Sequence, residues 1–251
     1  MNKLSVVIIT FNEAQNILRC IDSVAAFADE VVVVDSLSTD ETVALSESKG
    51  CRVTRHAFEG YGQQKQFATD LAKNNWVLSI DADEVVSEEL RSEITTLLAK
   101  ESIPEAGFDI PFSLFYLGKI LKFSGVGKEF HLRLFDKNRG CFTKAEVHEG
   151  IEVKGPVGKL EGKMIHYSYR DLAHHLQKIN TYTTQAAEGY SRKGRRFSKP
   201  WVAFKFPVSF FVFYIIRLGI LDGYPGFMWS FLAAFYGSYK VAKTIELQEK
   251  K

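Results

Sequence analysis

The sequence predicts an α/β protein with a doubly wound, mixed sheet. Three observations carry that prediction: short β-branched runs, segments of helical spacing between them, and acids where the runs end. Leu4 to Ile9 leads into Thr10-Phe11-Asn12-Glu13, Val31-Val32-Val33-Val34 into Asp35, and Trp76-Val77-Leu78-Ser79-Ile80 into Asp81-Ala82-Asp83-Glu84. Such runs are buried strands of a parallel sheet. Open α/β sheets bind their ligands beyond the carboxyl ends of the strands, so these polar residues are expected to converge on one site. Two aspartates one residue apart in extended backbone project to the same side. They can share a hard cation, and such a cation clamps phosphate oxygens. The pattern alone therefore predicts a diphosphate site.

The elements follow in order. Leu4–Thr10 is the first expected strand, and Glu13–Phe27 shows helical spacing at Ile17, Ile21 and Val24. Glu30–Asp35 is the second strand, followed by a helix from about Asp40, where Ser38-Thr39-Asp40-Glu41 offers N-cap chemistry. Cys51–Arg55, the helix Tyr61–Lys73, the strand Trp76–Asp81 and the helix Ser87–Lys100 complete this part. Ser87, Glu88 and Glu89 start that last helix, with Leu90, Ile94, Leu97 and Leu98 on one face. Strands linked by helices imply right-handed crossovers. After Pro104 the alternation is lost. Phe108–Phe115 and Phe130–Phe135 read as strands of a mixed or antiparallel edge, and Leu172, Leu176 and Ile179 mark another helix.

From Pro200 the chain turns aromatic, with Trp201, Phe204, Phe206, Phe210, Phe211 and Phe213 in quick succession. Its uninterrupted apolar stretch, Phe206 to Ile216, is shorter than the ~20 residues that span a bilayer. Two short aromatic helices are expected, interrupted by Asp222-Gly223-Tyr224-Pro225-Gly226. Ahead of and within them lie Arg192, Lys193, Arg195, Arg196, Lys199, Lys205 and Arg217, with no acid between Gly189 and Leu221. An aromatic hairpin behind a basic cluster fits an anionic membrane surface; a buried helical cap or dimer interface is the other reading. Hydrophobic content of 46% and charge of 25% are those of a folded globular chain. Cys20, Cys51 and Cys141 form no CxxC pair, so reduced thiols and a cytosolic setting are expected. The first apolar run is a strand, and no signal peptide is expected. The basic run comes without any nucleic-acid fold signature, so no nucleic-acid partner is expected.

Taken together, the strand-end motifs resemble glycosyltransferase family 2. The residues concerned are Ser5 to Glu13, Val33-Val34-Asp35-Ser36 with Ser38-Thr39-Asp40-Glu41-Thr42, and Ser79-Ile80-Asp81-Ala82-Asp83-Glu84. Val147-His148-Glu149, His166-Tyr167-Ser168, Lys178-Ile179-Asn180-Thr181-Tyr182 and Leu221-Asp222-Gly223 are similar to the lipopolysaccharide-core glucosyltransferases of that family. The resemblance implies a GT-A fold, a UDP-sugar donor (UDP-glucose foremost) and a divalent cation, Mg²⁺ or Mn²⁺. It implies inverting transfer to a lipid-anchored saccharide, an inner-core heptose, by an enzyme peripheral on the inner face of the cytoplasmic membrane. Residues 1–100 would form the nucleotide-sugar half, 101–190 the acceptor and catalytic-base half, and 191–251 the membrane-associating extension.

Residue by residue, Asp35 is similar to the aspartate that accepts from uracil N3–H, with Thr10 and Glu13 lining the same pocket. Glu13 reads equally as a first-turn acid stabilised by the helix dipole. Asp81 and Asp83 resemble the DXD motif: Asp83 holds the metal most directly, and Asp81 contacts ribose or metal-bound water. Glu84 reads as the first acid of the following helix. His166 resembles the histidine that completes the metal shell, or is a lone surface histidine. Lys65 reads as a basic residue near the nucleotide or as a solvated helix lysine. Glu149 is the expected general base; the Glu-Asp pair of many relatives is absent, and Glu146 and Glu152 are its rivals. Arg192, Arg195 and Arg196, with Lys193, could serve the donor diphosphate, acceptor phosphates or lipid headgroups. A polyprenyl-phosphate acceptor, a haloacid-dehalogenase-type phosphatase and a non-catalytic scaffold are the competing functions. The phosphatase reading puts its Asp-x-Asp on the wrong strand and leaves Asp35-Ser36 unexplained.

Overall fold

The computed structural model describes residues 2–127, 129–143 and 150–250. In chain order it runs β1 (Leu4–Thr10), α1 (Ile17–Val24), β2 (Glu30–Asp35), α2 (Thr42–Ser48), β3 (Arg52–Arg55), α3 (Tyr61–Leu71) and β4 (Trp76–Asp81). There follow β5 (Glu84–Val86), α4 (Glu88–Leu98), β6 (Gly107–Tyr116), β7 (Lys119–Ile120) and β8 (Phe130–Asp136). Then come β9 (Gly140–Phe142), β10 (Ile151–Val153), β11 (Val157–Lys159), β12 (Met164–His166) and α5 (Leu172–Arg192). α6 (Lys199–Phe211) continues into a π-helical turn, Val212–Ile216; a 3₁₀ turn, Gly219–Asp222, leads into α7 (Tyr224–Glu249). The chain divides into two compact units, Met1–Phe112 with Lys128–Tyr167, and Ser113–Gly127 with Ser168–Lys251. This division differs from the expected functional thirds, which concern what each part binds.

The first unit is the predicted α/β half. β3, β2, β1 and β4 are parallel neighbours in that order. β8 then joins β4 antiparallel, and β6 joins β8 antiparallel, which makes the sheet mixed. All seven residues of β1 are buried, as expected of a strand covered on both faces. Val6 and Ile8 pack with Ile17, Ile21, Leu90 and Ile94. Val7 and Ile9 pack on the opposite face with Val32, Val34 and Ala68. Each such side chain contributes ~1.5–3 kcal/mol by leaving water. Ser87 caps α4, its Oγ accepting from Leu90 N–H at 3.2 Å. Gly162 is required where the chain passes α4, because a Cβ there would run into the Leu90 backbone.

Two local expectations are corrected in this unit. The helix expected from Glu13 begins only at Ile17. Residues between carry polar links to the next strand-end loop: Asn12 sits at φ 55°, Asn12 Oδ1 accepts from Thr39 N–H at 2.9 Å, and Glu13 N–H donates to Thr42 Oγ1 at 2.9 Å. Glu84 is not a helix-starting acid but the first residue of β5, buried to 1% exposure. Its strand pairs antiparallel with β12, placing Glu84 opposite His166.

The second unit is mainly helical. Asp171 caps α5, accepting from His174 N–H at 2.7 Å, and Lys243 of α7 donates to Asn180 Oδ1 and Thr184 Oγ1 of α5 at 2.8 and 2.7 Å. The buried Asp222 Oδ2 accepts from Phe123 N–H at 2.9 Å and Lys122 N–H at 3.1 Å. The second aromatic helix is longer than expected: α7 runs 26 residues, because the Asp222 turn precedes it and nothing after Gly226 breaks it. On α6, Phe206 packs against Phe231 and Phe210 against Phe227 of α7.

Candidate active site

Strand register brings the carboxyl ends of β1, β2 and β4 together. Thr10 lies opposite Asp35, and Ile9 opposite Asp81. Asp35 is fully buried. Its Oδ2 accepts from Ser38 N–H at 2.9 Å, but its Oδ1 makes no hydrogen bond among the described residues, and neither does the buried Thr10 Oγ1. A buried orphan acceptor is costly and rare in a native fold. Two on adjacent strand ends fit a ligand that brings its own donor, such as a nucleobase ring N–H. Beside them Gln64 of α3 is buried, donating to Ser36 Oγ at 3.0 Å and meeting His56 Nδ1 at 2.8 Å. Glu13 is half-buried nearby in sequence, and its Oε2 accepts from Asn16 Nδ2 at 2.7 Å.

A charged network surrounds the end of β4. Lys65 is a buried side chain, not a solvated one, and its Nζ lies 3.1 Å from Asp81 Oδ1. Arg133, on β8, is mostly buried, its side chain 12% exposed; its Nη2 reaches Glu84 Oε1 at 2.7 Å and Asp81 Oδ2 at 3.3 Å. Glu84 Oε2 also accepts the Asp81 N–H at 2.9 Å, closing the Asp81–Glu84 turn. Burial opposes ionisation of Asp81, but Lys65 and Arg133 outweigh it and hold the carboxyl well below its usual range. Glu84 moves the other way: burial, with Asp81 adding to it against the pull of Arg133, pushes it up to about 7. The two acids share one guanidinium, and Asp81 has the second cation.

Asp83 and His166, both half-buried, meet beside this network, His166 Nε2 lying 3.1 Å from Asp83 Oδ2. Burial works against the imidazolium, yet the hydrogen bond and charge of Asp83 raise the His166 pKa. An oxygen and a nitrogen donor side by side could hold a Mg²⁺ or Mn²⁺ ion, with its remaining ligands left to phosphate oxygens or water. Among the described residues no third Asp, Glu, His or Cys completes a protein-only cluster. The structure thus joins Asp83 and His166, while Asp81 is taken up by Lys65 and Arg133.

Glu149 lies outside the described residues, as does Glu146; Glu152 is exposed on β10. Arg192, Arg195 and Arg196 are exposed in the second unit, with Arg195 over the Tyr190 ring at 4.8 Å. Arg133 and Glu84 were missed from sequence. The available signal for Arg133 was a lone cation inside the alternating run Phe130-His131-Leu132-Arg133-Leu134-Phe135.

Comparison with known proteins bears on the same motifs. The family model described as glycosyl transferase family 2 matches residues 5–102, which contain all three strand ends. An uncharacterized glycosyltransferase of Rickettsia typhi is 33% identical, covering 100% of this chain and 89% of that protein. The chain belongs to glycosyltransferase family 2. Within this family, the lipopolysaccharide core biosynthesis glycosyltransferase LpsC of Rhizobium meliloti is 32% identical, over 96% of this chain and 91% of LpsC. A solved glucosyl-3-phosphoglycerate synthase of Mycobacterium tuberculosis, with Mn²⁺, UDP and its product, is 25% identical. It covers 47% of this chain and 45% of its own at a TM-score of 0.35, a superposition too shallow to compare sites.

Proposed function

We propose that this family 2 glycosyltransferase is a metal-assisted, inverting enzyme that moves glucose from UDP-glucose to a heptose of the lipopolysaccharide inner core. The observation that carries the donor reading is the pair of orphaned buried atoms, Asp35 Oδ1 and Thr10 Oγ1, on strands adjacent to the Asp81–Glu84 network. Asp35 accepts the uracil N3–H, and Thr10 lines the same nucleoside pocket with Glu13. Lys65 and Arg133 keep Asp81 ionised and fixed. Asp83 and His166 are the residues that hold the divalent cation, which neutralises charge on the departing diphosphate when bound. Glu149 takes the proton of the acceptor hydroxyl as that oxygen bonds to the anomeric carbon. The carbon–oxygen bond to the diphosphate breaks on the opposite face, and its electron pair leaves with UDP. Inversion is therefore the expected outcome; a product that retains the donor's anomeric configuration defeats this step.

The acceptor reading draws on the likeness to LpsC over nearly the whole chain. The second unit supports a lipid-anchored acceptor at an anionic membrane surface. Trp201, Phe204, Val208, Phe211 and Ile215 recur every three or four residues along α6 and the following π turn, and each is exposed. The segment Lys199–Ile216 is long and apolar enough to cross a membrane by length and composition, and none of it is buried. Its 18 residues sit at the short end of the ~17–25 that can span a bilayer, and they include Lys199 and Lys205. With Lys199, Lys205 and the Arg192–Arg196 cluster beside it, an orientation along the inner face of the cytoplasmic membrane is favoured. Mass spectrometry of core oligosaccharide from a deletion strain tests the whole reading. A core lacking one hexose and everything attached beyond it is expected; an unaltered core contradicts it.

A further inference from the structure

The donor site leaves one sequence motif without work, Lys178-Ile179-Asn180-Thr181-Tyr182 on α5. Lys178 and Tyr182 line a pocket of about 260 Å³ that lies wholly within the second unit, together with Tyr169, His175, Trp229 and Tyr236. His175 is a buried member of its lining. The ring is buried to 4% exposure, and its Nδ1 meets the hydroxyl of the fully buried Tyr116 at 2.8 Å. The hydrogen bonds among the described residues engage only that nitrogen, which leaves Nε2 to the pocket that the ring lines. Burial pushes the imidazole down to about 4, so it is a neutral polar group near pH 7. Tyr169 and Trp229 lie on this ring at centroid distances of 3.9 and 5.7 Å. Lys178 Nζ donates to Ser168 O at 2.9 Å, one of the three donors an ammonium carries.

These features separate the ligand classes an aromatic pocket can take. An alkyl chain would suit the apolar walls of Ile179, Phe213, Leu232 and Ala233 but would leave the imidazole nitrogen and the ammonium unpaired. A planar aromatic ligand would have faces to stack but few edge groups for so many polar tips. A pyranose has apolar C–H faces for the rings of Tyr169, Trp229 and Tyr236, and hydroxyls around its edge for His175 Nε2 and the phenols. The volume lies below the ~300–1,000 Å³ of sites for drug-sized ligands, which leaves room for a single ring. Lys178 adds a charge-assisted donor suited to an acidic substituent on that ring.

We propose that this pocket is a saccharide-binding site that takes one pyranose ring bearing a phosphate or carboxylate. The proposal rests on and deepens the acceptor reading above, but its test does not depend on lipopolysaccharide. Saturation-transfer NMR on the full chain, with UDP present to occupy the donor site, is carried out with glucuronate and with glucose 6-phosphate. Both are expected to receive saturation, and glucose less. Loss of a charge-assisted contact in Lys178→Gln should weaken binding by about tenfold. Tyr182→Ala, at a residue 51% exposed and so tolerant of truncation, should also weaken it, with UDP affinity unchanged in both variants. Binding that is equal in wild type and variants, binding matched by inorganic phosphate alone, or displacement of both sugars by dodecanoate would each overturn the site. A deletion strain with an unaltered core would remove the lipopolysaccharide reading and leave this pocket standing.

Discussion

Asp35→Ala separates a base-reading aspartate from a structural one. In the folded protein Asp35 has no exposed surface, one oxygen is held by Ser38 N–H at 2.9 Å, and the other has no partner among the described residues. If uracil N3–H completes that oxygen, the contact is a buried hydrogen bond to a charged acceptor, contributing ~1.5–3 kcal/mol. Removing it should weaken UDP binding by about 10- to 150-fold, at 1.4 kcal/mol per tenfold. Fold stability should change much less, because the lost Ser38 contact is offset by relief of an unsatisfied buried charge. Cytosine supplies the internal control, since its N3 is an acceptor and would face the carboxylate oxygen repulsively. Calorimetry should therefore show wild type preferring UDP to CDP, and Asp35→Ala losing most of that preference. An unchanged UDP affinity, or a preference that survives the substitution, refutes the assignment.

Arg133→Met should destabilise the fold by ~3–5 kcal/mol in urea denaturation, since Glu84 and Asp81 lose the buried cation they share. Adding Glu84→Leu should recover part of that loss, and a single-variant cost below ~1 kcal/mol would show the network to be incidental. His175 gives a pH dependence of definite sign: its folded pKa of about 4 lies below the ordinary value of 6.5, so the unfolded chain takes the proton first. Stability should fall as pH drops from about 6.5 toward 4, by up to ~3 kcal/mol, and a His175→Gln protein should lack that component; parallel curves would contradict it. Liposome sedimentation should show binding that needs anionic lipid and weakens with salt, with each of Arg192, Lys193, Arg195 and Arg196 contributing on the order of 1 kcal/mol. If replacing all four with Ser leaves liposome binding intact but abolishes UDP binding, the cluster serves the donor.

The α/β half was legible because its signals are local. Each of β1, β2 and β4 is an apolar run ending at the polar residue where the strand ends, and Ser87 announces α4 by its cap. Asp35, Thr10 and Asp81 could be gathered on one edge because strand ends in a parallel sheet share one rim. What escaped depends on contacts distant in sequence. β5 is three residues long, and only pairing with β12, some eighty residues later, makes Glu84 a strand residue instead of a helix acid. Arg133 reaches Asp81 because β8 pairs antiparallel with β4, and no spacing rule encodes that pairing. Lys65 had two readings, and burial against Asp81 removes the solvated one. The length of α7 was obscured by the turn at Asp222, whose role in holding residues 122 and 123 is a tertiary matter.

The central claim is that Asp83 and His166 hold a cation against the diphosphate of a UDP-sugar. Turnover of UDP-glucose by the purified full chain, followed by UDP release with the core acceptor present, tests it most directly. Activity should vanish in excess chelator, return on addition of Mg²⁺ or Mn²⁺, and stay near zero in Asp83→Ala at any metal concentration. Undiminished turnover in chelator, or an Asp83→Ala protein as active as wild type, would contradict the account.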